Sequence, residues 1–136
     1  MDLCGSSHRI LLVDDDKEHL KLFTIVLQEQ GHSVEVYADP ITALLKFRSN
    51  YYDLAVLDYL MPHLNGLDLY GKIKEIDSKM KCCIITATNE QFTDDEENPR
   101  RPNNLSVIRK PIGNAELLTE INSILGSTHL KIKIGD

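Results

Sequence analysis

Short apolar runs alternate with longer amphipathic segments along the chain. The apolar runs predict five β-strands, at Ile10–Val13, Val34–Ala38, Leu54–Leu57, Cys82–Ile85 and around Val107–Ile108. Apolar residues recur at helical spacing in four further segments: Lys17–Gln30, a segment opened by Asp39-Pro40, one through Leu69–Ile76 and one through Leu117–Leu125. Strands that are apolar on both faces and alternate with amphipathic helices are typical of a parallel sheet covered on both sides. The pattern therefore predicts a small doubly wound α/β fold with five βα units.

Several of the predicted helix ends carry residues that suit them. Asp16 is predicted to cap the first helix, because a carboxylate is favourable at a helix N-terminus, and Gly31 to end it. Asp39 supplies an N-cap carboxylate to the second helix, and Pro40 suits its first turn. Gly126 closes the last helix.

Polar and charged residues stand where the predicted strands end. They are Asp14 and Asp15, Asp58, Thr86 and Lys110. In open parallel sheets, ligands bind outside the carboxyl ends of the strands. The sequence therefore predicts a functional site at this edge of the sheet.

The residues at this edge suit phosphoryl chemistry. Three carboxylates from Asp14, Asp15 and Asp58 would repel one another and must take up a proton, a lysine or a hard cation. Oxygen ligands favour Mg²⁺, while Lys110 and Thr86 can neutralise and bind phosphoryl oxygens. A carboxylate can itself be the nucleophile. The two Gly-rich phosphate-binding motifs, G-x-x-x-x-G-K-S/T and G-x-G-x-x-G, are both absent from the sequence. A nucleotide is therefore not expected as the direct donor.

Composition and charge narrow the function classes. The 136 residues are 42% hydrophobic and 26% charged, which is typical of one globular domain that needs no disulfide or metal to fold. A net charge of −6 does not favour binding to nucleic acid or to an anionic membrane. We expect no DNA-binding domain, since no residues remain for one. We also expect no signal peptide or membrane span, since the longest early apolar run is Ile10–Val13.

The cysteines and histidines do not predict a metal or disulfide site. Cys4, Cys82 and Cys83 are odd in number and lack C-x-x-C spacing, so reduced thiols in a cytoplasmic protein are expected. The five histidines are scattered, and we do not expect a metal cluster from them. They are His8, His19, His32, His63 and His129.

Four motifs in the chain are similar to those of a known family. They are L-L-V-D-D-D at 11–16, V-L-D-Y-L-M-P-H-L-N-G at 56–66, I-I-T-A at 84–87 and R-K-P at 109–111. With these motifs in order at strand ends, the chain from about Arg9 to Leu125 closely resembles the receiver domain of two-component response regulators, of the chemotaxis-receiver type. The resemblance implies a flavodoxin-like sheet with strand order 2-1-3-4-5. It also implies a receiver domain at 8–126, followed by a tail at 127–136.

The resemblance also implies a role for each matching residue. Asp58 would accept the phosphoryl group from a histidine kinase or a phosphotransfer protein. Mg²⁺ or Mn²⁺ would be held by Asp15 and Asp58, by Asp14 mainly through water, and by the backbone carbonyl of Leu60. Thr86 would be the switch hydroxyl, and Lys110 would pair with a phosphoryl oxygen.

Three departures from the family pattern bear on switching. Val107 and Ile112 replace aromatic residues that many receivers carry, and residues 89–104 lack the usual small-residue pattern and contain two prolines. We therefore expect the fourth helix to be short or absent, replaced by a mobile loop. The alternative to a phosphorylation switch is thus a receiver-like protein-binding module that does not switch.

The tail carries a strand pattern after the predicted end of the domain. His129 to Ile134 alternates apolar and polar residues. One interpretation is a frayed terminus. The other is a strand that adds to a sheet edge in its own chain or in a second copy, which would promote a homodimer.

The expected function is that of a stand-alone receiver which signals through protein contacts and is not an enzyme on other substrates. An aspartyl-phosphate phosphatase would need an acid two residues after Asp58, where Leu60 stands. A flavin protein of this topology would need a phosphate loop, which is absent.

Overall fold

The computed structural model describes residues 7–87, 105–110 and 113–126, with Lys110 described by its backbone alone. Its strands and helices alternate along most of this part of the chain. In chain order they are β1 (Arg9–Val13), α1 (Lys17–Glu29), β2 (Ser33–Tyr37), α2 (Pro40–Leu45), β3 (Leu54–Asp58), α3 (Gly66–Ile76), β4 (Cys82–Ala87), β5 (Leu105–Lys110) and α4 (Asn114–Leu125).

All five strands form one parallel sheet in the order β2-β1-β3-β4-β5. The predicted fold and strand order are confirmed. The strand bounds differ from the predicted ones by at most two residues at either end. For example, β2 begins at Ser33, because Ser33 pairs with Arg9 and its N–H donates to the carbonyl of His8.

The helix ends follow the capping residues in the sequence. The Asp16 carboxylate accepts from the backbone N–H groups of Glu18 and His19, at 2.9 and 3.3 Å, and α1 ends just before Gly31, whose φ is +91°. Asp39 caps α2, with Pro40 in its first turn. These local signals place the starts of α1 and α2 just after the ends of β1 and β2.

The core divides into two apolar clusters, one on each face of the sheet. Helices α2 and α3 cover one face, where Leu69 and Ile73 are fully buried. Helices α1 and α4 cover the other, where Leu27 and Ile121 are fully buried. Alternate strand residues point to opposite faces, so the sheet is apolar on both sides and polar side chains are left for the strand ends.

The two adjacent cysteines belong to this core. Cys82 and Cys83 are free and buried in β4. Burial raises the pKa of the Cys82 thiol to about 12 and also raises that of Cys83. Thiols held in this protonated form are poor nucleophiles, which fits the prediction that both are structural strand residues.

Three predictions fall on residues that the structure does not describe. The short or absent fourth helix at 89–104, the aromatic replacement at Ile112 and the tail strand at 127–136 lie outside the described residues. The domain bounds of 8–126 also stay a prediction. Among the described helices, none has the length and apolar character needed to cross a membrane.

The edge opposite the predicted site contains a buried histidine whose titration affects stability. His32 is 8% exposed, and its Nδ1 accepts from the backbone N–H of His8 at 3.2 Å. Burial, helped by the charge of His8 and opposed by that of Asp53, lowers the pKa of His32. The neutral ring is therefore favoured in the folded chain.

We expect the free energy of unfolding to fall as the pH drops below about 6.5, the unfolded pKa of histidine, toward the lower pKa of folded His32. Above that pH the stability is fully present, because folded and unfolded rings are both neutral. The slope from one group is at most about 1.4 kcal/mol per pH unit. Urea unfolding between pH 7.5 and 5 should show a shallower loss in His32→Asn, whose Oδ1 keeps the acceptor. The control is His63→Asn at an exposed loop position; an unchanged slope in His32→Asn would contradict the prediction.

Candidate functional site

The predicted site residues lie at the carboxyl edge of the sheet. Asp14 follows β1 directly, Asp58 is the last residue of β3, and Thr86 is the last but one of β4. Lys110 ends β5, where its backbone is in register with Ala87. The sheet order brings β1, β3 and β4 side by side, so residues far apart in sequence meet at one place.

Three carboxylates form the centre of this edge. One carboxylate oxygen from each of Asp14, Asp15 and Asp58 lies within 4.8 Å of the others. Asp14 is 3% exposed and Asp58 is 8% exposed, while Asp15 faces solvent. We call Asp14, Asp15 and Asp58 the acidic cluster.

Backbone hydrogen bonds fix the two buried members of the cluster. The N–H of Asp14 donates to the carbonyl of Tyr37 at 3.2 Å, and its Oδ1 accepts from the N–H of Asp16 at 2.9 Å. After Asp58, the N–H of Tyr59 donates to the carbonyl of Ile85 at 2.8 Å. The carboxylate of Asp14 is thus held by the turn that follows it, and the backbone that follows Asp58 is fixed to β4.

Gly66 brings the start of α3 against the backbone of Asp58. A Cβ placed on Gly66 would lie 2.4 Å from the carbonyl oxygen of Asp58 and 3.1 Å from its carbonyl carbon. The N–H of Gly66 also donates to the carbonyl of Tyr59 at 2.8 Å. Asn65 caps the helix at this point, its side-chain oxygen accepting from the N–H of Asp68 at 2.8 Å. Residue 66 must therefore lack a side chain for the loop to close on Asp58.

The donor set of the acidic cluster fits a hard divalent cation. Two unit charges about 4.8 Å apart repel by about 3 kcal/mol at an effective dielectric near 20, so three neighbouring carboxylates favour a cation between them. Carboxylate oxygens are the ligands that Mg²⁺ prefers, and the exposed Asp15 leaves a side open to water. Such an ion would supply positive charge beside Asp58.

The other predicted site residues differ in how far the structure describes them. The side chain of Thr86 is buried, 1% exposed, and its hydroxyl lies 3.5 Å from the carbonyl of Ala87. Leu60 is 56% exposed beside the cluster. The side chain of Lys110 lies outside the described part of the structure. The roles of these residues stay predictions.

His19 is a neighbour of the cluster that the sequence analysis did not single out. Its Nδ1 lies 3.4 Å from Oδ2 of Asp14 and 3.6 Å from Oδ2 of Asp16. Its position one helical turn after Asp16 is a signal that could have found it, because residues three apart on a helix are neighbours. Scattered histidines in the sequence gave no other indication.

Charge repulsion in the cluster leads to a stability prediction. In metal-free protein, Asp58→Asn should raise the free energy of unfolding by about 1–3 kcal/mol, because it removes one of two buried like charges. Mg²⁺ at about 100 times its dissociation constant should stabilise the unaltered chain by about 2.7 kcal/mol and the variant by much less. Urea unfolding with Mg²⁺ and with a chelator measures both effects. A variant less stable than the metal-free parent would contradict the prediction.

Comparisons with known proteins agree with this architecture. Residues 10–122 match the family model of the response regulator receiver domain. The transcriptional regulatory protein CpxR homolog of Haemophilus influenzae is 32% identical over 117 residues, covering 86% of this chain and 50% of that protein. The chain spans about half the length of the curated relatives it matches.

Two solved structures resemble the chain in fold and sequence. The response regulator TrrA of Thermotoga maritima, in complex with Mg²⁺ and beryllium fluoride, is 27% identical with a TM-score of 0.70, over 86% of this chain and 98% of that one. TrrA in complex with the histidine kinase ThkA matches with 29% identity and a TM-score of 0.71, over 87% and 98% of the two chains.

Proposed function

The chain belongs to the response regulator receiver family, and we propose that it is a phosphorylation switch which accepts a phosphoryl group on Asp58 with the help of Mg²⁺. The observation that carries the proposal is the acidic cluster, with oxygens of Asp14, Asp15 and Asp58 within 4.8 Å at the carboxyl edge of the sheet. The complex of TrrA with Mg²⁺ and beryllium fluoride supports the choice of metal. Mn²⁺ has the same preference for carboxylate oxygens and would serve in its place.

In this proposal, Asp58 acts as the nucleophile. A carboxylate oxygen of Asp58 would form the new bond to phosphorus as the bond between phosphorus and the donor's imidazole nitrogen breaks, and the imidazole leaves with the electron pair. An ion bound at the cluster would supply positive charge that offsets the repulsion between carboxylate and phosphoryl oxygens. Burial of Asp58 limits access by water.

The remaining residues have supporting roles in the proposal. Asp15 would bind the ion directly, Asp14 mainly through water, and the backbone carbonyl of Leu60 would add a further oxygen ligand. The Thr86 hydroxyl and the Lys110 ammonium would bind phosphoryl oxygens once Asp58 carries them. With no further substrate, the chain would catalyse only its own phosphorylation and dephosphorylation and would not be an enzyme in the wider sense.

The partners follow from the same chemistry. The donor would be a histidine kinase or a phosphotransfer protein, and the complex of TrrA with the histidine kinase ThkA supports this class of partner. We propose that phosphorylation changes contacts with a downstream protein in the cytoplasm. The stand-alone arrangement, the lack of direct DNA binding and the homodimer that one of the two interpretations of the tail implies stay predictions.

Phosphoryl uptake from acetyl phosphate tests the proposal. Intact-mass spectrometry should show one added phosphoryl group per chain with Mg²⁺ or Mn²⁺, and none when a chelator removes the metal. If uptake fails with acetyl phosphate, transfer from a phosphorylated histidine kinase is the second donor to use. Failure with both donors would overturn the proposed function.

A second candidate function is the protein-binding module that does not switch. Val107, at a position where the resemblance implies a mobile aromatic ring, is a half-buried residue of β5 paired in register with Ile84. A small β-branched side chain has no ring to move inward when the site is phosphorylated. This observation favours a binding surface whose shape does not change on phosphorylation.

Amide NMR spectra with Mg²⁺ and beryllium fluoride separate the two candidates. A switch should show shifts at the amides of Thr86 and Val107 and along β5 and α4, well beyond the loop after Asp58. Shifts confined to residues next to the acidic cluster would favour the module that does not switch.

A further inference from the structure

The outer edge of β2 is an open sheet edge in the described part of the chain. There β2 pairs with β1 on one side and with no described strand on the other. The N–H of Ser33 donates to the carbonyl of His8, just before β1, and the carbonyl of Tyr37 accepts from the residue that follows β1. Successive residues of a strand face its two sides in turn. Val34 and Val36 therefore direct their N–H and C=O groups outward.

The side chains of β2 leave this edge suited to strand addition. Val36 is 42% exposed, and β2 contains no proline or lysine, the residues that commonly protect a sheet edge. The one charged residue of β2 is Glu35, whose carboxylate accepts from the guanidinium of Arg48 at 2.9 Å and keeps its side chain 31% exposed. An edge of this kind is a template for another extended segment.

Residues 129–134, which we call the tail segment, match this edge in pattern. Their sequence H-L-K-I-K-I alternates, so an extended chain would carry its three apolar residues on one side and its two lysines on the other. Residues that stand opposite each other in neighbouring strands share a face. Any register that sets two of these apolar residues against Val34 and Val36 therefore puts a lysine opposite Glu35.

A second copy of β2 fits the edge less well than the tail segment. In the longest antiparallel register of β2 with itself, Val34 pairs with Val36, and the two Glu35 side chains stand opposite each other. Like charges in that position destabilise a strand pair. A lysine of the tail segment would instead share the Glu35 carboxylate with Arg48.

The tail segment cannot reach the β2 edge of its own chain. The last turn of α4 lies at the amino edge of the sheet, where Nζ of Lys81, just before β4, donates to the carbonyl of Ile124 at 3.3 Å. From β4 to the outer side of β2 is four strand spacings, or about 19 Å. The chain from Leu125 to His129 spans at most about 14 Å.

The outer edge of β5 is nearer, but it would require a crossover of the rare hand. Helix α1 lies on the same face as α4 and connects β1 to β2 in the direction away from β5. The crossover through α3 has the same hand as this one, because both its face and its direction are reversed. A strand added beyond β5 through α4 would have the opposite hand, whereas about 98% of such crossovers are right-handed. Pairing with another chain avoids both difficulties.

We propose that the tail segment adds as a strand to the outer edge of β2 in a second copy of this chain, with its apolar side against Val34 and Val36. Reciprocal exchange of two tail segments would make a closed symmetric dimer, in which each sheet gains a sixth strand. This inference does not depend on phosphorylation of Asp58.

Disulfide formation between two differently substituted chains tests the proposal. One chain carries Val36→Cys, and the other carries one cysteine in the tail segment, at position 130, 132 or 134. Both carry Cys4→Ser, and the remaining two cysteines are buried in β4. Opposed residues of paired strands lie about 4.5–5.5 Å apart at Cα, which a disulfide can bridge. Mass spectrometry without reductant should show the two chains linked for at least one of the three tail positions.

The matched control replaces Val36→Cys by Leu45→Cys, which is 79% exposed on α2 and should not link to any tail position. A chain that carries both Val36→Cys and the tail cysteine tests pairing within one chain. A disulfide formed inside that single chain would overturn the proposal, and so would the absence of a link at all three tail positions.

Sedimentation of the full chain gives a second readout. The parent should have twice the mass of one chain, whereas Val36→Lys and Ile132→Pro should have the mass of one chain at the same concentration. Lysine protects a sheet edge, and proline disfavours a strand in the tail segment. Leu45→Lys should keep the mass of the parent. A parent that is monomeric at every concentration, or a dimer that both variants leave intact, would contradict the proposal.

Discussion

Asp58→Asn is expected to accept no phosphoryl group from acetyl phosphate and Mg²⁺, under conditions in which the unaltered chain gains one. The amide of asparagine keeps the size of the side chain, which is buried at the end of β3, but it is not a nucleophile toward phosphorus. The expected effect is complete loss, since catalysis by neighbouring groups cannot replace the atom that forms the bond. Intact-mass spectrometry measures it directly.

The matched control for this variant lies at the other end of the same strand. Asp53 stands just before β3, is exposed, and accepts the backbone N–H of Arg9 at 2.9 Å. Asp53→Asn removes the same charge from the chain and should leave phosphoryl uptake intact. If Asp58→Asn still gained a phosphoryl group, another residue would be the acceptor. Peptide mapping of the phosphorylated chain would then identify it.

Gly66→Ala is expected to destabilise the protein by about 1–3 kcal/mol or more and to reduce phosphoryl uptake in the chains that remain folded. The added Cβ would stand 2.4 Å from the carbonyl oxygen of Asp58. Backbone atoms must move to relieve this contact, and relief of overpacking costs energy on this scale. Because the backbone that moves belongs to Asp58, the carboxylate moves with it. Urea unfolding measures the loss of stability. Intact-mass spectrometry at low urea concentration, where chains of the variant remain folded, measures phosphoryl uptake.

Gly71→Ala supplies the control on the same helix. Gly71 is exposed in α3, and apart from its chain neighbours and the backbone of its own helix no atom of the described residues lies within 4 Å of the position its Cβ would take. Alanine is favoured over glycine inside a helix, so this variant should be more stable than the parent by about 0.5–1 kcal/mol. Equal effects of the two substitutions would show that helix propensity, and not the approach to Asp58, determines the role of Gly66.

Much of the fold was predictable because its signals are local. The runs Ile10–Val13 and Leu54–Leu57 are apolar throughout, and such runs form strands buried on both faces. Asp16 and Asp39 cap helices in the structure as their positions in the sequence predicted. A cap depends on a hydrogen bond to an N–H two or three residues away, so the nearby sequence is enough to predict it.

The acidic cluster was also predictable, for a different reason. Parallel strands all end at the same edge of their sheet, so residues that follow strands are brought together even when they are distant in sequence. Strand direction alone therefore predicts Asp14, Asp15 and Asp58 at one edge, where the structure has their oxygens within 4.8 Å. It could not give their burial, which differs between the buried Asp14 and the exposed Asp15.

The parts that sequence reasoning missed depend on contacts between elements. In the sequence, Asn65 and Gly66 were only the end of the motif at 56–66, whereas the structure has Asn65 as a helix cap and Gly66 packed on the backbone of Asp58. His19 was one of five scattered histidines. Its ring stacks on Phe23, and its contact with the carboxylate of Asp14 forms only when α1 packs beside the end of β1.

The sequence by itself determined the class of fold and the capped helix starts, because periodicity and capping act over short stretches of chain. It also determined the edge at which the acidic residues collect, because parallel strands end at the same edge of their sheet. Only the tertiary structure decided which carboxylates lose contact with water, how closely α3 approaches Asp58, and that His19 lies against Asp14. These features arise where one element packs against another. Packing distances depend on all the side chains between the elements, and no local pattern encodes them.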